Sequence, residues 1–313
     1  MEDRVNAVKH DALAAEIDAI AARRTATIAA VRVRHPENFP VASLLCPPAL
    51  RAPIRAIYHF ARTADDIADE GDASPAKRRA TLLAYRESLY RAAHGESPSR
   101  WSGVFRPLAT TIRRHNLPLR LLDDLLDAFI HDTANPRYDN REQLLAYCAK
   151  SANPVGRLLL RLHGVDDELS IRQSDSICSA LQLINFWQDP SVDIPRGRHY
   201  VPLADAQRHG LTLDSLSSSG DTPATQALLR DLVAWAAGLM VEGAPLALRV
   251  PGRMGWELRL VVQGGLRMLE RIAAMNYSTL QRRPALRASD ATPMLWRALR
   301  MRPDRIAAGM SLA

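Results

Sequence analysis

Two pairs of aspartates, each four residues apart in helix-forming sequence, constrain this chain more than any other feature. The first pair lies in Arg62-Thr63-Ala64-Asp65-Asp66-Ile67-Ala68-Asp69-Glu70, and the second is Asp189 and Asp193. Residues i and i+4 of a helix share a face one turn apart. Asp65 therefore stacks with Asp69, and Asp189 with Asp193, at a separation where like charges repel. Helices avoid such pairing unless a cation relieves it. Two pairs facing each other make an oxygen-lined cage suited to Mg²⁺, a hard ion shared between a few carboxylates and substrate phosphate oxygens. The spacing points to an enzyme that handles a diphosphate.

The neighbours of each pair sharpen that reading. Tyr58, Arg62 and Asp65 recur at i, i+4 and i+7, so a phenol and a guanidinium share the acidic stripe. Arg62 also has a plain structural role open to it, as the i+4 partner of Asp66, worth a few tenths of a kcal/mol. Around the second pair, Asn185, Asp189 and Asp193 keep to one face. Leu181, Leu183, Ile184, Phe186 and Trp187 make the setting apolar. Carboxylates in such company are rarely left unpaired, because isolated buried charge is costly.

The rest of the chain reads as helix. Ala, Leu and Arg dominate, aromatics are 5%, and β-branched alternating runs are nearly absent. With 313 residues, 47% of them hydrophobic, no Gly/Ser-rich linker and no fixed-period repeat, one all-α domain over 1–313 is the economical reading. Cys46, Cys148 and Cys178 are widely spaced and form no zinc-like or CxxC pattern, which favours a reduced cytoplasmic setting. Met1-Glu2-Asp3-Arg4 lacks the apolar core of a signal peptide. The longest uncharged apolar stretch, 232–241, is too short to span a bilayer, so the expectation is a protein not integral to a membrane.

The net charge of +7 suits an anionic partner. Nucleic acid is set aside, because no binding motif occurs and the arginines are spread along the chain. The clusters Arg282-Arg283 and 297–305 are candidates for contact with anionic lipid headgroups. A solvated basic surface is their plainer reading.

Along the chain, a helix is expected at about 10–34, then breaks at His35-Pro36-Glu37-Asn38-Phe39-Pro40 and Pro47-Pro48, with Pro53 in the first turn of the helix carrying the first motif. Further helices are expected at about 75–94, across 105–131 with a division near Asn116-Leu117-Pro118, and across 141–162 with an interruption at Asn153-Pro154. The second motif rides a helix over about 168–189 that Pro190 ends or kinks, and 195–200 follows as a loop. Helices over about 222–249 and 255–281 complete the pattern.

With those residues in hand, the chain resembles the squalene and phytoene synthases over roughly 34–283, leaving a basic tail at 284–313. The resemblance implies a single-domain class I isoprenoid synthase fold, a helical bundle around a central cavity. In it Asp65, Asp69, Asn185, Asp189 and Asp193 hold Mg²⁺, and Arg62 and Arg198 grip the diphosphate. Tyr58, Tyr147 and Tyr200 line the cavity, while His35 and Asn38 stand in the substrate-binding segment.

Two segments depart from the squalene and phytoene synthase pattern. Glu37-Asn38-Phe39-Pro40-Val41-Ala42-Ser43 replaces a Ser-rich segment, and Ser151-Ala152-Asn153-Pro154-Val155-Gly156 replaces Val-Ala-Gly-x-Val-Gly. They resemble the branch of the family that converts presqualene diphosphate and water to hydroxysqualene and diphosphate, feeding squalene and hopanoid synthesis. That implies a prenyl diphosphate partner, no nicotinamide cofactor, peripheral contact with the inner face of the cell membrane and association with other enzymes of the route.

The implied mechanism is electrostatic. Charge on the departing diphosphate is stabilised, and a cyclopropylcarbinyl cation rearranges in an apolar cavity that excludes bulk water. Ser151 and Asn153 are candidates for holding the one water that quenches it. The competing structural roles are a Ser151 bond to a carbonyl one turn back and an Asn153 cap on the helix break. Two other functions stay open: a head-to-head prenyltransferase making presqualene diphosphate, squalene or phytoene, and a non-catalytic family member acting in assembly or binding.

Overall fold

Proline opens the first helix. Pro48 stands in its first turn, where a missing amide costs nothing, and Pro53 follows one turn later. This helix, α1 (Pro48–Asp69), buries Ala56, Phe60, Ala64 and Ala68, an unbroken i, i+4 series. At 100° per residue, Tyr58, Arg62, Asp65 and Asp69 lie on the opposite side. One helix thus anchors itself with one stripe and offers the other to the site.

The computed structural model describes residues 46–96, 99–218 and 220–302, all within one compact unit. His35, Asn38, Pro36 and the expected 10–34 helix lie outside the described residues, as does the basic tail beyond Arg302. Among the described residues every regular element is helical.

After α1 come α2 (Pro75–Ala93), α3 (Ser102–His115), α4 (Leu119–Asp132), α5 (Arg141–Ser151), α6 (Asn153–Leu162) and α7 (Glu168–Gln188). Then follow α8 (Pro190–Asp193), α9 (Leu203–Arg208), α10 (Leu213–Ser218), α11 (Pro223–Gly243), α12 (Leu246–Arg249), α13 (Gly252–Ala274) and α14 (Ala291–Leu299). Four helix starts carry side-chain caps. Ser74, Asn140 and Asp167 each accept a bond from the amide three residues on, and Thr222 forms a reciprocal capping box with Thr225.

Two hydrophobic clusters divide the bundle. One is built from α1 to α4 with Leu158 and Leu162 of α6, and stacks Phe60 on Tyr85 with Phe105 beside them. The other is built on α7, α11 and α13. Helix α7 is its centre: Ile177, Ala180, Leu183, Ile184 and Trp187 form one apolar face, and Ser174, Ser179 and Phe186 bury on its other sides. Small residues let neighbours close on α7. A Cβ at Gly156 of α6 would sit 2.4 Å from Ser174 Oγ, and one at Gly243 of α11 would sit 2.5 Å from the Gln173 carbonyl. Residues 223–249 are long and apolar enough to cross a bilayer by length and composition, beyond the shorter stretch noted in the sequence. Leu232, Val233, Ala236 and Met240 are nonetheless fully buried in this cluster, so the apolarity serves the core.

The break expected at Pro190 is present: α7 stops at Gln188 and Pro190 opens a new turn, α8, so Asp189 and Asp193 do not share one continuous helix. Two expectations are corrected. The final long helix ends at Ala274 rather than near 281, because Asn276 and Tyr277 take left-handed backbone conformations at φ 52° and 58°. The loop at 195–200 starts inside a 3₁₀ turn, Ile194–Arg196.

Candidate active site

The two aspartate motifs meet at the seam between the clusters, and Arg198 joins them. Its guanidinium bonds Asp69 of α1 at 2.6 Å, while its backbone amide bonds the Asp193 carbonyl at 3.0 Å. Gly197, at φ 75°, turns the chain so that both contacts come from one residue, a conformation that favours glycine. The break at Asp189 does not scatter the second pair, for the Asp193 amide still bonds the Asp189 carbonyl at 2.9 Å.

Each further carboxylate has its own environment. Arg62 bonds Asp65 at 2.6 Å and also reaches Asp66 at 2.8 Å and Glu70 at 3.0 Å, so the local role open to it is filled. Even so, burial and then the neighbouring Asp69 push Asp65 up to about 6. Asp193 is likewise pushed up to about 6, by burial and then by Asp189. Both shifts mean that the arginines leave negative charge uncompensated. Asn185 is exposed on the last turn of α7, one turn before Asp189.

An aromatic wall closes one side. Phe186 stacks on Tyr200 at 3.7 Å between ring centres, and Tyr147 and Tyr138 pack beside them. Small cavities between Asp132, Asp193, Arg198, His199, Tyr200 and Phe186 open at this wall. Tyr58 is half-buried on α1 and contributes to the field at Arg62.

Ser151 and Asn153 take neither structural role open to them. The Ser151 hydroxyl is enclosed with no hydrogen-bond partner among the described residues, and Asn153 does not cap α6. Asn153 is buried and its Oδ1 accepts a bond from Ser179 Oγ of α7 at 2.9 Å.

Two site residues escaped the sequence reading. Asp132, at the end of α4, accepts a 2.9 Å bond from the Tyr147 hydroxyl on Oδ2, while its Oδ1 is enclosed without a partner among the described residues. Burial pushes it up to about 7 against the pull of that bond, and Asp69 and Asp65 add to the rise. A signal existed: Leu125, Phe129 and Asp132 run i, i+4, i+7, so an acid continues an apolar stripe. The other is Arg283, read from sequence as part of a basic surface cluster. It grips Asp189 with two bonds of 2.6 and 3.2 Å. The chain beyond α13 runs along 188–191, held by Ser191 N to Thr279 O at 3.2 Å and Gln188 Nε2 to Pro284 O at 2.9 Å. No local pattern reveals such a return.

Among the described residues no three acidic, histidine or cysteine side chains crowd closely enough to hold one ion as they stand. The donor set still suits a hard cation: it is all oxygen, and burial and like-charged neighbours push Asp65, Asp132 and Asp193 up. With arginines interleaved among these carboxylates, the site has partners for both a cation and a diphosphate.

The model of the squalene/phytoene synthase family matches residues 32–290. This chain belongs to that family. It is 34% identical over 240 residues to the hydroxysqualene synthase of Sinorhizobium fredii, covering 76% of this chain and 79% of that protein. It is 41% identical over 183 residues to the hydroxysqualene synthase of Zymomonas mobilis, covering 58% and 59%. The crystal structure of squalene synthase HpnC from Alicyclobacillus acidocaldarius matches with a TM-score of 0.72 at 38% identity, over 78% of this chain and 90% of that one. The fold is the all-α isoprenoid synthase bundle expected from the sequence.

Proposed function

We propose that this synthase converts presqualene diphosphate and water to hydroxysqualene and diphosphate. The observation that carries the diphosphate half of the reading is Arg198, closing on Asp69 and Asp193 together and so drawing both aspartate motifs to one place. Arg62, Arg198 and Arg283 offer planar forks that match phosphate oxygens. Asp65, Asp69, Asp189 and Asp193 are the residues that would hold Mg²⁺. When bound, the metal supplies charge neutralisation on the departing diphosphate.

Water capture is supported by Ser151. It stands one turn after Tyr147 on α5, on the side of the helix from which Tyr147 reaches Asp132. Leaving a hydroxyl enclosed and unpartnered costs on the order of 1–3 kcal/mol, a cost that a bound water removes. Asn153, already engaged by Ser179, steadies the break between α5 and α6 beside it.

Purified protein supplied with presqualene diphosphate, and separately with farnesyl diphosphate, tests the reading. Hydroxysqualene from the first substrate alone is the expected result. Presqualene diphosphate, squalene or phytoene from the second would mark a head-to-head prenyltransferase, and no turnover of either would mark an assembly protein. A Ser151→Val, Asn153→Gly variant should still release diphosphate while hydroxysqualene gives way to eliminated or differently hydroxylated products. Hydroxysqualene as sole product at a comparable rate would show that the water is held elsewhere.

A further inference from the structure

Helix α14 turns three large apolar side chains outward within five residues. Leu295, Trp296 and Leu299 are 52%, 54% and 55% exposed, whereas among the other described large exposed apolar side chains Leu83 and Tyr90 stand two turns apart on α2 and Leu169 and Trp256 stand singly. At 100° per residue Leu295 and Leu299 lie within 40° of each other and Trp296 lies beside them, so they form one face. A grouped apolar face held outward marks a contact surface, where a scattered leucine does not.

The face is held in place. Ala298 is fully buried beneath it, Arg297 pairs with Glu270 of α13, and Asp290, just before α14, is clamped by Arg267 and Arg271 of the same helix. Its charge is one-sided. From Ala291 to Arg302 the sequence holds Arg297, Arg300 and Arg302 and no acid. The Arg300 guanidinium lies over the Trp296 ring, 3.9 Å from its centre, pairing an apolar plate with a cation at the edge of the apolar face.

We propose that α14 docks the protein on an anionic lipid bilayer. Leu295, Trp296 and Leu299 sink into the boundary between headgroups and acyl chains, and Arg300 and Arg302 meet the lipid phosphates. Apolar burial and attraction to anionic headgroups act together in such interfacial helices, and aromatic side chains favour that depth. Charge complementarity selects the membrane over a second copy of the chain, whose identical face would bring the same arginines against each other.

Co-sedimentation with vesicles of phosphatidylcholine alone, and of phosphatidylcholine with phosphatidylglycerol, reads this directly. The full chain should bind the phosphatidylglycerol vesicles, bind the neutral ones less, and release as salt rises. Leu295→Glu with Leu299→Glu should weaken binding about tenfold or more, and Arg300→Gln with Arg302→Gln should remove the preference for anionic vesicles. Thermal unfolding checks that the variants fold. Should the glutamate pair misfold, Trp296→Ala with Leu299→Ser takes its place. Equal binding by folded wild type and variants, or no binding to anionic vesicles, overturns the proposal. So does a concentration-dependent dimer that the Leu295→Glu, Leu299→Glu change dissolves, which would make the face a contact between copies.

Discussion

Asp290 and Asp132 are two enclosed carboxylates with opposite fates. Asp290, 1% exposed, receives Arg267 at 2.8 Å, Arg271 at 2.7 Å and the Arg287 amide at 2.7 Å. The bonds from Arg271 above all hold it well below the usual carboxylate range. Asp132 has the Tyr147 hydroxyl on one oxygen and no described residue bonding the other, and burial pushes it up to about 7. A carboxylate that fastens a fold is supplied with donors on all sides. One left short of donors, as Asp132 is, marks a candidate site.

Removing the supplied carboxylate should have the largest effect on folding. Asp290→Ala strands two arginines and frees the turn before α14. The expected loss is on the order of 3 kcal/mol, the low end for a broken buried pair because both arginines keep some solvent. Denaturant melts measure it, and a loss no greater than at an exposed position would erase the contrast.

At the site the sign reverses. Asp65→Asn should lower turnover about a hundredfold or more while the thermal midpoint stays level or rises, since a repelling charge has gone. A mutant that unfolds yet keeps its specific activity in the folded fraction would make Asp65 structural.

The pH dependence of the metal-free protein separates the two kinds of group. Asp65 and Asp193 near 6 and Asp132 near 7 stand above their unfolded values, so the folded state keeps protons that the unfolded chain loses near pH 4. Their contribution is fully present below that pH and is lost as pH rises through about 6 to 7. Asp290 runs the other way: its contribution is present above the unfolded pKa and lost as pH falls through its depressed folded value. Melting between pH 5 and 8 should therefore give falling midpoints, less steeply in Asp132→Asn. An identical slope in that variant would show that Asp132 does not titrate there.

The smallest effect is expected at Arg62→Lys. A point charge can still pair with Asp66 but does not reproduce a planar fork on phosphate. The expected kcat/KM falls about tenfold with little change in melting. An unchanged kcat/KM would reduce Arg62 to a local partner of its own helix.

Legibility followed the range of the interaction. The helix over α1, its acidic stripe and the break at Pro190 were readable because each depends on residues within a turn or two. The division at Leu117-Pro118 was local in the same way. Asp132 was half-readable, as an acid in an apolar stripe, but its Tyr147 partner sits fifteen residues on, in another helix. Arg283 was misread, because the expected helix to 281 ends at Ala274 and the strand of chain beyond it doubles back to Asp189.

By itself the sequence determined the helical class, the two acid pairs and the apolar faces that bury against each other, since periodicity and like-charge spacing are properties of one segment. Only the tertiary structure decided which cations meet those acids. Arg198 reaches Asp69, Arg283 reaches Asp189, and Tyr147 leaves Asp132 half satisfied. These outcomes depend on how two hydrophobic clusters meet along a seam. The strength and sense of a buried charge are set by everything packed around it, and that surrounding exists only once the chain has closed.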